Sequence, residues 1–121
     1  MSDRVLFIGW DEVVRGREER AVEVFNESVG LYGRMQQEGR IERFDATFLS
    51  PNGSGLQGYF QLHGSADQLH AARESEDFQR TLADATLIVE DMRVLDGVTN
   101  EGIGEQMAIF QDAIAKVPQA H

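Results

Sequence analysis

The chain has 121 residues, 41% hydrophobic and 26% charged, which is ordinary for one globular domain spanning residues 1–121. It contains no cysteine, which excludes disulfides, thiolate metal sites and a cysteine nucleophile. The net charge is −10, from 21 acidic and 11 basic residues, and the arginines are scattered along the chain. Nucleic-acid binding needs a clustered basic surface, so we expect no nucleic-acid partner.

The first strand is predicted at residues 5–10, where every residue except Gly9 is large and apolar. Such a strand has no polar face for water, so we expect cover on both of its faces.

The start MSDRVLFIGW has no basic region before an apolar run long enough for a signal peptide or a membrane span. We therefore expect a cytoplasmic location and no membrane partner.

A long helix is predicted in the segment GREERAVEVFNESVGLYGRMQQEG. Apolar residues at helical spacing predict its buried side, namely Val22, Phe25, Val29 and Tyr32, with Ala21 and Met35 beside them. Gly30 and Gly33 each cost a helix about 1 kcal/mol relative to Ala, which suggests that another backbone approaches closely there.

Two strands follow, at residues 41–49 and 58–63, and Asn52-Gly53 between them predicts a hairpin. Side chains alternate between the two faces of a strand. The alternation predicts one face under the helices, carrying Phe44, Ala46, Phe48, Phe60 and Leu62. The opposite face then carries Asp45, Thr47, Tyr59, Gln61 and His63.

The second half of the chain repeats the helix–strand order. Ser65 and Gln68 form a predicted capping box, and Ser75 is a second N-cap at which the helix restarts. A fourth strand is predicted at residues 86–95, and Thr99 is the predicted cap of a last helix. That helix carries a narrow apolar stripe suited to a sheet or a partner helix: Ile103, Met107, Phe110, Ile114 and Val117.

The order of elements predicts an α+β, ferredoxin-like βαββαβ domain with an extra C-terminal helix. The helices suffice to cover one face of the sheet. Because the strands also need cover on the other face, we expect a homodimer, in which two sheets pack into a dimeric α/β-barrel.

Polar side chains on the opposite face form the candidate site. The pocket candidates are Trp10, Asp45, Tyr59, Gln61, His63 and Arg93, with Glu90 or Asp91 nearby. Trp10 ends the first strand, and the sequence leaves open which of the two layers it faces. Polar groups that a partner covers need hydrogen bonds, or they mark a cavity that holds a ligand. His63 near a carboxylate is the candidate for a catalytic acid or base. The alternative is that these groups face water or make ordinary contacts across the dimer.

The sequence predicts neither a metal nor a cofactor. Its histidines, His63, His70 and His121, do not fall in a metal-binding spacing, and a catalytic metal usually needs about three converging ligands. Nor does a serine lie in a G-x-S-x-G nucleophile turn.

The segment FQLHGSADQLHAARESEDFQRTL, residues 60–82, resembles the dimeric α/β-barrel superfamily that contains antibiotic-biosynthesis monooxygenase-like domains. Leu69, Ser75 and Phe78 match positions that recur in that group. The resemblance implies a homodimer with a pocket in each subunit. The chain departs from the group at three positions, where His63, Tyr59 and Ala72 replace the usual Trp, Asn and His. The oxygenation chemistry linked to those positions is therefore not carried over.

Two functional hypotheses remain. The first is a dimeric module with no assignable activity, which binds a small apolar ligand in a pocket on the sheet, or no ligand. The second is a small cofactor-independent enzyme, such as a monooxygenase or an isomerase, with His63 as general base and Tyr59, Gln61 and Trp10 shaping its pocket.

Overall fold

The computed structural model describes residues 3–120, within which four strands and four helices form. His121, considered above as a metal ligand, lies outside the described residues. The elements in chain order are β1 (Arg4–Trp10), α1 (Glu18–Gln37), β2 (Arg43–Phe48), β3 (Gly58–Gly64), α2 (Ala66–Glu74), α3 (Glu76–Thr86), β4 (Arg93–Val98) and α4 (Glu101–Ala115).

The strands form one antiparallel sheet in the order β2-β3-β1-β4. The two halves interleave, since β1 pairs with β3 on one side and with β4 on the other. The predicted α+β, ferredoxin-like arrangement is thereby confirmed. The hairpin expected at Asn52-Gly53 is also confirmed, because β2 and β3 pair directly.

The helices α1, α2 and α3 lie on one face of the sheet, and the core fills the space between. Leu6 and Leu62 from adjacent strands are fully buried there, together with Met35 of α1 and Phe78 of α3. A second, smaller cluster joins α1 to the segment before β4: Ala21, Val24, Ile88 and Val89. The helices cover the face that was predicted to lie under them at Phe44, Phe60 and Leu62, whereas Ala46 and Phe48 at the edge of that face are exposed.

The buried side of α1 is rotated relative to the prediction. Val22, expected in the core, is 62% exposed, whereas Val24 is buried against Ile88 and Val89. The explanation offered for the helix glycines is also wrong. A methyl group placed at Gly33 would meet no atom within 4 Å, and at Gly30 the nearest atom would be Arg34 Nη1 at 3.4 Å.

The second crossover is two helices joined at Ser75, as predicted. The Ser65 hydroxyl accepts a hydrogen bond from the Gln68 backbone N–H at 3.1 Å, and the Gln68 side chain accepts one from the Ser65 backbone N–H at 2.9 Å. This reciprocal pair is the predicted capping box. Ser75 precedes α3, but its hydroxyl donates back to the Ala72 carbonyl at 2.6 Å and does not cap α3.

The prediction of the fourth strand is wrong in its bounds. Thr86 ends α3, and β4 begins only at Arg93. Ile88 and Val89 are apolar because they pack on α1, and Val89 forms an isolated antiparallel bridge with Val13. Glu90 and Asp91, expected near Arg93 on the sheet, therefore precede the strand.

The last helix, α4, begins after Asn100, so Thr99 is not its N-cap. Asn100 has φ 52°, and its side chain makes no capping hydrogen bond. Gly102 is buried against the backbone of Asp3 and the side chain of Arg4, and every residue from Ile103 to Ala120 is exposed. The predicted apolar stripe of α4 thus lies in solvent.

Candidate functional site

The sheet face without helices, which we call the open face, carries five of the six predicted pocket residues. Tyr59, Gln61 and His63 alternate along β3, Asp45 lies beside Gln61 on β2, and Arg93 lies two strands away on β4. The strand registers arrange the open face in three rows: Gly97–Val5–His63–Arg43, Leu95–Phe7–Gln61–Asp45 and Arg93–Gly9–Tyr59–Thr47.

His63 and Asp45 form a hydrogen-bonded pair on this face. His63 Nε2 lies 2.9 Å from Asp45 Oδ2, and the imidazole is buried. Arg43 also donates to Asp45, at 2.8 Å. Burial acts to raise the pKa of Asp45, but the hydrogen bonds from His63 and Arg43 outweigh it and hold that pKa below its usual value. The carboxylate is thus kept charged beside the imidazole.

The remainder of the open face combines apolar and polar side chains: Val5, Phe7 and Leu95 with Thr47, Tyr59, Gln61 and Arg93. The Phe7 and Tyr59 rings lie 5.1 Å apart, and Phe7 covers Gly9, where a methyl group would come within 2.6 Å of the ring. Leu56 from the β2–β3 loop also covers Gly9, since the same methyl group would come within 2.9 Å of its side chain. Arg93 donates to the Gly55 carbonyl and attaches this loop to β4.

Trp10, the sixth predicted pocket residue, lies on the other face of the sheet. It shares the orientation of Leu6 and Ile8, and its ring lies 5.5 Å from Phe60 and 6.3 Å from Phe48, in a T-shaped arrangement with Phe48. The sheet therefore separates Trp10 from the other five residues, and it cannot shape a pocket with them.

A cavity of about 390 Å³ lies beside Trp10, between the sheet and the helices α1 and α3. Its walls come from β1 and Phe60 on the sheet, from the inner side of α1, and from Leu82 and Ala85 of α3. A further wall consists of Val13, Ile88, Val89 and Met92. Three backbone hydrogen bonds hold this wall together: Asp11 N–H to Glu90, Val14 N–H to Ile88 and Glu90 N–H to Glu12.

Aromatic rings provide much of the cavity lining: Trp10, Phe25, Tyr32, Phe48 and Phe60. Phe25 stacks on Phe60 with centroids 5.3 Å apart and planes at 22°, and Tyr32 meets Phe60 edge-on at 5.0 Å. Phe48 is 69% exposed and lies 4.8 Å from Phe25, at the solvent side of the cluster. The cavity therefore offers flat apolar surfaces on several sides.

Few polar groups reach the cavity. The Ser28 hydroxyl donates to the Val24 carbonyl at 2.8 Å, so its hydrogen is used within α1. Glu18 accepts two hydrogen bonds from the Gly16 backbone N–H, which lower the pKa of this exposed carboxyl. Tyr32 is 1% exposed, and burial alone raises the pKa of its hydroxyl, so the group stays a neutral hydrogen-bond donor.

The part of the chain that the structure describes holds no cluster of three His, Asp or Glu side chains able to bind a metal ion. Within the same residues, no helix combines the length and apolarity needed to cross a bilayer. The expected absence of a metal, a cofactor and a nucleic-acid partner, and the cytoplasmic location, stay predictions.

The cavity was missed at the sequence level, although a signal for it existed. Alternation counted from Leu6 and Ile8 places Trp10 under the helices, beside Phe60 and Phe48. The packing of Val24 against Ile88, which forms another part of the cavity lining, could not be predicted from the sequence. The apolar residues 87–89 resemble a strand and were interpreted as one.

The chain is similar to known proteins in its three-dimensional structure. No protein-family model matches this sequence, and no curated protein matches it significantly. A dimeric ferredoxin-like protein of unknown function from Jannaschia sp. CCS1 is 13% identical, with a TM-score of 0.61 over 78% of this chain and 96% of the other. The hydroxynitrile lyase of Passiflora edulis is 14% identical, with a TM-score of 0.62 over 82% of this chain and 95% of the lyase.

A third similar structure is a candidate antibiotic biosynthesis monooxygenase from Chloroflexus aurantiacus J-10-fl. It is 10% identical, with a TM-score of 0.53 over 80% of this chain and 93% of the other. At such identities the similarity shows the fold alone. The chain therefore shares its fold with these structures, and that fold is ferredoxin-like, as in the Jannaschia protein.

Proposed function

We propose that the protein binds a small apolar molecule in the cavity between the sheet and the helices α1 and α3. The observation that carries the proposal is a space of about 390 Å³ lined by five aromatic rings. Ligand pockets usually have volumes of this order and combine an apolar lining with a few polar groups. The pocket proposed for this ligand thus lies on the helix side of the sheet.

The lining also indicates the chemistry of the ligand. The neutral Tyr32 hydroxyl favours a molecule with one hydrogen-bond-accepting oxygen among apolar or aromatic groups. The ionised Glu18 carboxylate at the edge of the cavity disfavours an anion. We therefore expect neutral, mainly aromatic ligands to bind more tightly than carboxylic acids of the same size.

Trp10, the single tryptophan, lines the cavity and reports on its occupancy. Titration with the neutral probe N-phenyl-1-naphthylamine should quench Trp10 emission and raise probe fluorescence with one saturable site per chain. Ala85→Phe fills the cavity from α3 and should weaken binding at least tenfold. Ala83→Phe places the same ring on the exposed side of α3 and should leave binding unchanged. Equal binding by both variants would refute the proposal.

The open face of the sheet supports a homodimer. Leu95 is 55% exposed and lies opposite the partly exposed Phe7, so these two side chains form an apolar patch that faces solvent in the single chain. The Jannaschia protein, which shares the fold, is described as dimeric. Packing of two open faces would bury this patch in both copies. Burial of apolar surface is the main favourable contribution to the free energy of most protein–protein association.

Light scattering at micromolar concentration tests the homodimer. The wild type should have twice the 13.5 kDa chain mass. Leu95→Glu would bury a charge in the interface and should give a monomer, whereas Leu87→Glu, at a 64% exposed leucine after α3, should stay dimeric. A monomeric wild type would exclude the homodimer while leaving the cavity proposal intact.

The His63–Asp45 pair favours a second candidate, a cofactor-independent monooxygenase or isomerase. In this hypothesis His63 is the acid or base, oriented by the Asp45 carboxylate at 2.9 Å, and Tyr59, Gln61 and Arg93 line the site. The sheet separates His63 from the cavity, so the substrate would lie on the open face.

That separation provides the test of the second candidate. Oxygen uptake and isomerisation would be measured over a panel of small carbonyl compounds and phenols. An activity lost in His63→Gln, kept in the exposed His70→Gln and kept in Ala85→Phe would support catalysis on the open face. An activity that survives His63→Gln would exclude His63 as the base.

A further inference from the structure

The helix α4 exposes apolar side chains of the kind that usually lie in an interface. It is 15 residues long, about 22 Å, and isolated helices of this length are marginal in water. Nevertheless its apolar residues project into solvent, with Met107 50% exposed and Phe110 60% exposed. A helix of this kind gains stability when its apolar side packs on something, so the exposed stripe indicates a missing contact.

The stripe has the spacing of a helix that pairs with another helix. Its residues recur in steps of four, three, four and three, which keeps them on one seam. The stripe consists of Ile103, Met107, Phe110, Ile114 and Val117. A face packed broadly on a sheet would usually be wider, with additional apolar positions on both sides.

The charges of α4 lie away from the stripe. At about 100° per residue, Glu101, Glu105, Asp112 and the following Lys116 all fall on the opposite side of the helix. The positions that flank the stripe are uncharged: Gly104, Gln106, Gln111 and Ala113. Two copies of a chain with net charge −10 can therefore bring these stripes together without like charges meeting at the seam.

The same charges disfavour a lipid surface as the partner. Helices that lie in a membrane interface usually carry Lys and Arg on the polar side, which attract anionic lipids. The polar side of α4 carries three acidic residues and one lysine. Anionic lipid headgroups would repel it.

We propose that α4 packs along this stripe against the α4 helix of a second copy of the chain. The inference rests on the proposed homodimer and adds a second contact to it, outside the sheet. In this arrangement the stripes of both copies are buried. The anchoring of Gly102 against Asp3 and Arg4 fixes where each helix leaves its domain.

Disulfide trapping in the full chain tests the inference, since introduced cysteines are the only thiols. Met107→Cys and Phe110→Cys are oxidised alone and as a mixture, and covalent dimers are identified by mass. Parallel helices in register should link each variant to itself, whereas antiparallel helices centred on the stripe should link Phe110→Cys to itself and not Met107→Cys; either result supports the pairing. Asp112→Cys, on the charged side, is the control and should not link.

Absence of a link in the single variants and in the mixture would overturn the inference. A link between Met107→Cys and Leu95→Cys would overturn it too, because α4 would then contact the sheet of the second copy. Light scattering on the same wild-type sample separates the two proposals: a dimer without an α4 link refutes only the pairing, and a monomer refutes the homodimer as well.

A charge substitution gives a second measurement that does not depend on oxidation. Met107→Glu places a carboxylate in the seam and should raise the dimer dissociation constant at least tenfold. Ala108→Glu adds the same charge at a neighbouring position away from the stripe and should change it less than twofold. Equal effects of the two substitutions would contradict the pairing.

Discussion

The indole ring of Trp10 lies against the backbone of Gly58, its partner across the β1–β3 ladder. A methyl group at Gly58 would come within 2.7 Å of the Trp10 ring and 2.9 Å of the Thr47 carbonyl oxygen. The absence of a side chain at Gly58 therefore sets the position of the ring that lines the cavity. One of the glycines of the hairpin thus has a role in the proposed site.

Gly58→Ala should destabilise the protein and weaken probe binding together. The backbone contact cannot yield, so the strain displaces Trp10 towards the cavity, at a cost of about 1–3 kcal/mol in the free energy of unfolding. Urea denaturation and probe titration measure the two effects. Unchanged binding with reduced stability would show that the ring position does not control the cavity.

Gly33→Ala should have the opposite effect on stability. Gly33 lies inside α1, and a methyl group there would meet no atom within 4 Å. The substitution should raise the free energy of unfolding by about 1 kcal/mol, because Ala has the higher helix propensity. Gly39→Ala is the matched comparison: its φ is 74°, so the same substitution should destabilise. Chemical denaturation of both variants decides the point.

Ser65→Ala should remove the capping box of α2. The Gln68 backbone N–H loses its acceptor, and the expected cost is about 1 kcal/mol. Ser54→Ala, in the exposed β2–β3 loop, should cost almost nothing, since the hydrogen bond at that residue comes from its backbone N–H. Equal midpoints in urea for the two variants would contradict the cap.

The ion pair of Arg40 and Asp77 should make stability depend on pH. Arg40 donates two hydrogen bonds to Asp77, at 2.8 and 3.0 Å, and these hold the pKa of Asp77 well below its usual range. The contribution is therefore present above the unfolded pKa, near 4, and is lost as the pH falls through the lower folded pKa. Because both side chains are partly exposed, it should stay below about 1 kcal/mol.

Asp77→Asn should consequently lower the melting temperature at pH 7 and have a clearly smaller effect at about pH 2, where part of the charge contribution is lost. Glu76→Gln is the control, since its partner Arg80 and Glu76 itself are both highly exposed. An effect of Asp77→Asn that is equal at both pH values would assign it to packing rather than to charge.

The alternation in β2 and β3 allowed the fold and the two sheet faces to be predicted, because side chains in strands must alternate whatever lies above them. The buried side of α1 was harder to predict. Val22 and Val24 are equivalent as residues, and only the packing of Ile88 and Val89 decides which one is buried. The prediction placed Ile88 and Val89 in the fourth strand because they are apolar. They lie instead in the loop before β4, where they line the cavity.

The His63–Asp45 pair could be predicted from the sequence, whereas the cavity could not. His63 and Asp45 meet because strand register places Arg43 opposite His63 and Asp45 beside it, as alternation implied. The cavity depends instead on how far α1 and α3 stand from the sheet. That distance is set jointly by side chains far apart in the sequence, such as Phe25 and Leu82, and no local pattern expresses it.

The wall around Val13 and Val89 has a dynamic consequence. Three backbone hydrogen bonds hold it, far fewer than hold the β1–β3 ladder, so it can open locally much more often than the whole protein unfolds. Amide protons of Val14 and Glu90 should exchange with solvent through that opening, while those of Leu6 and Leu62 exchange only on global unfolding. Such an opening would widen the access to the cavity while the sheet stays intact.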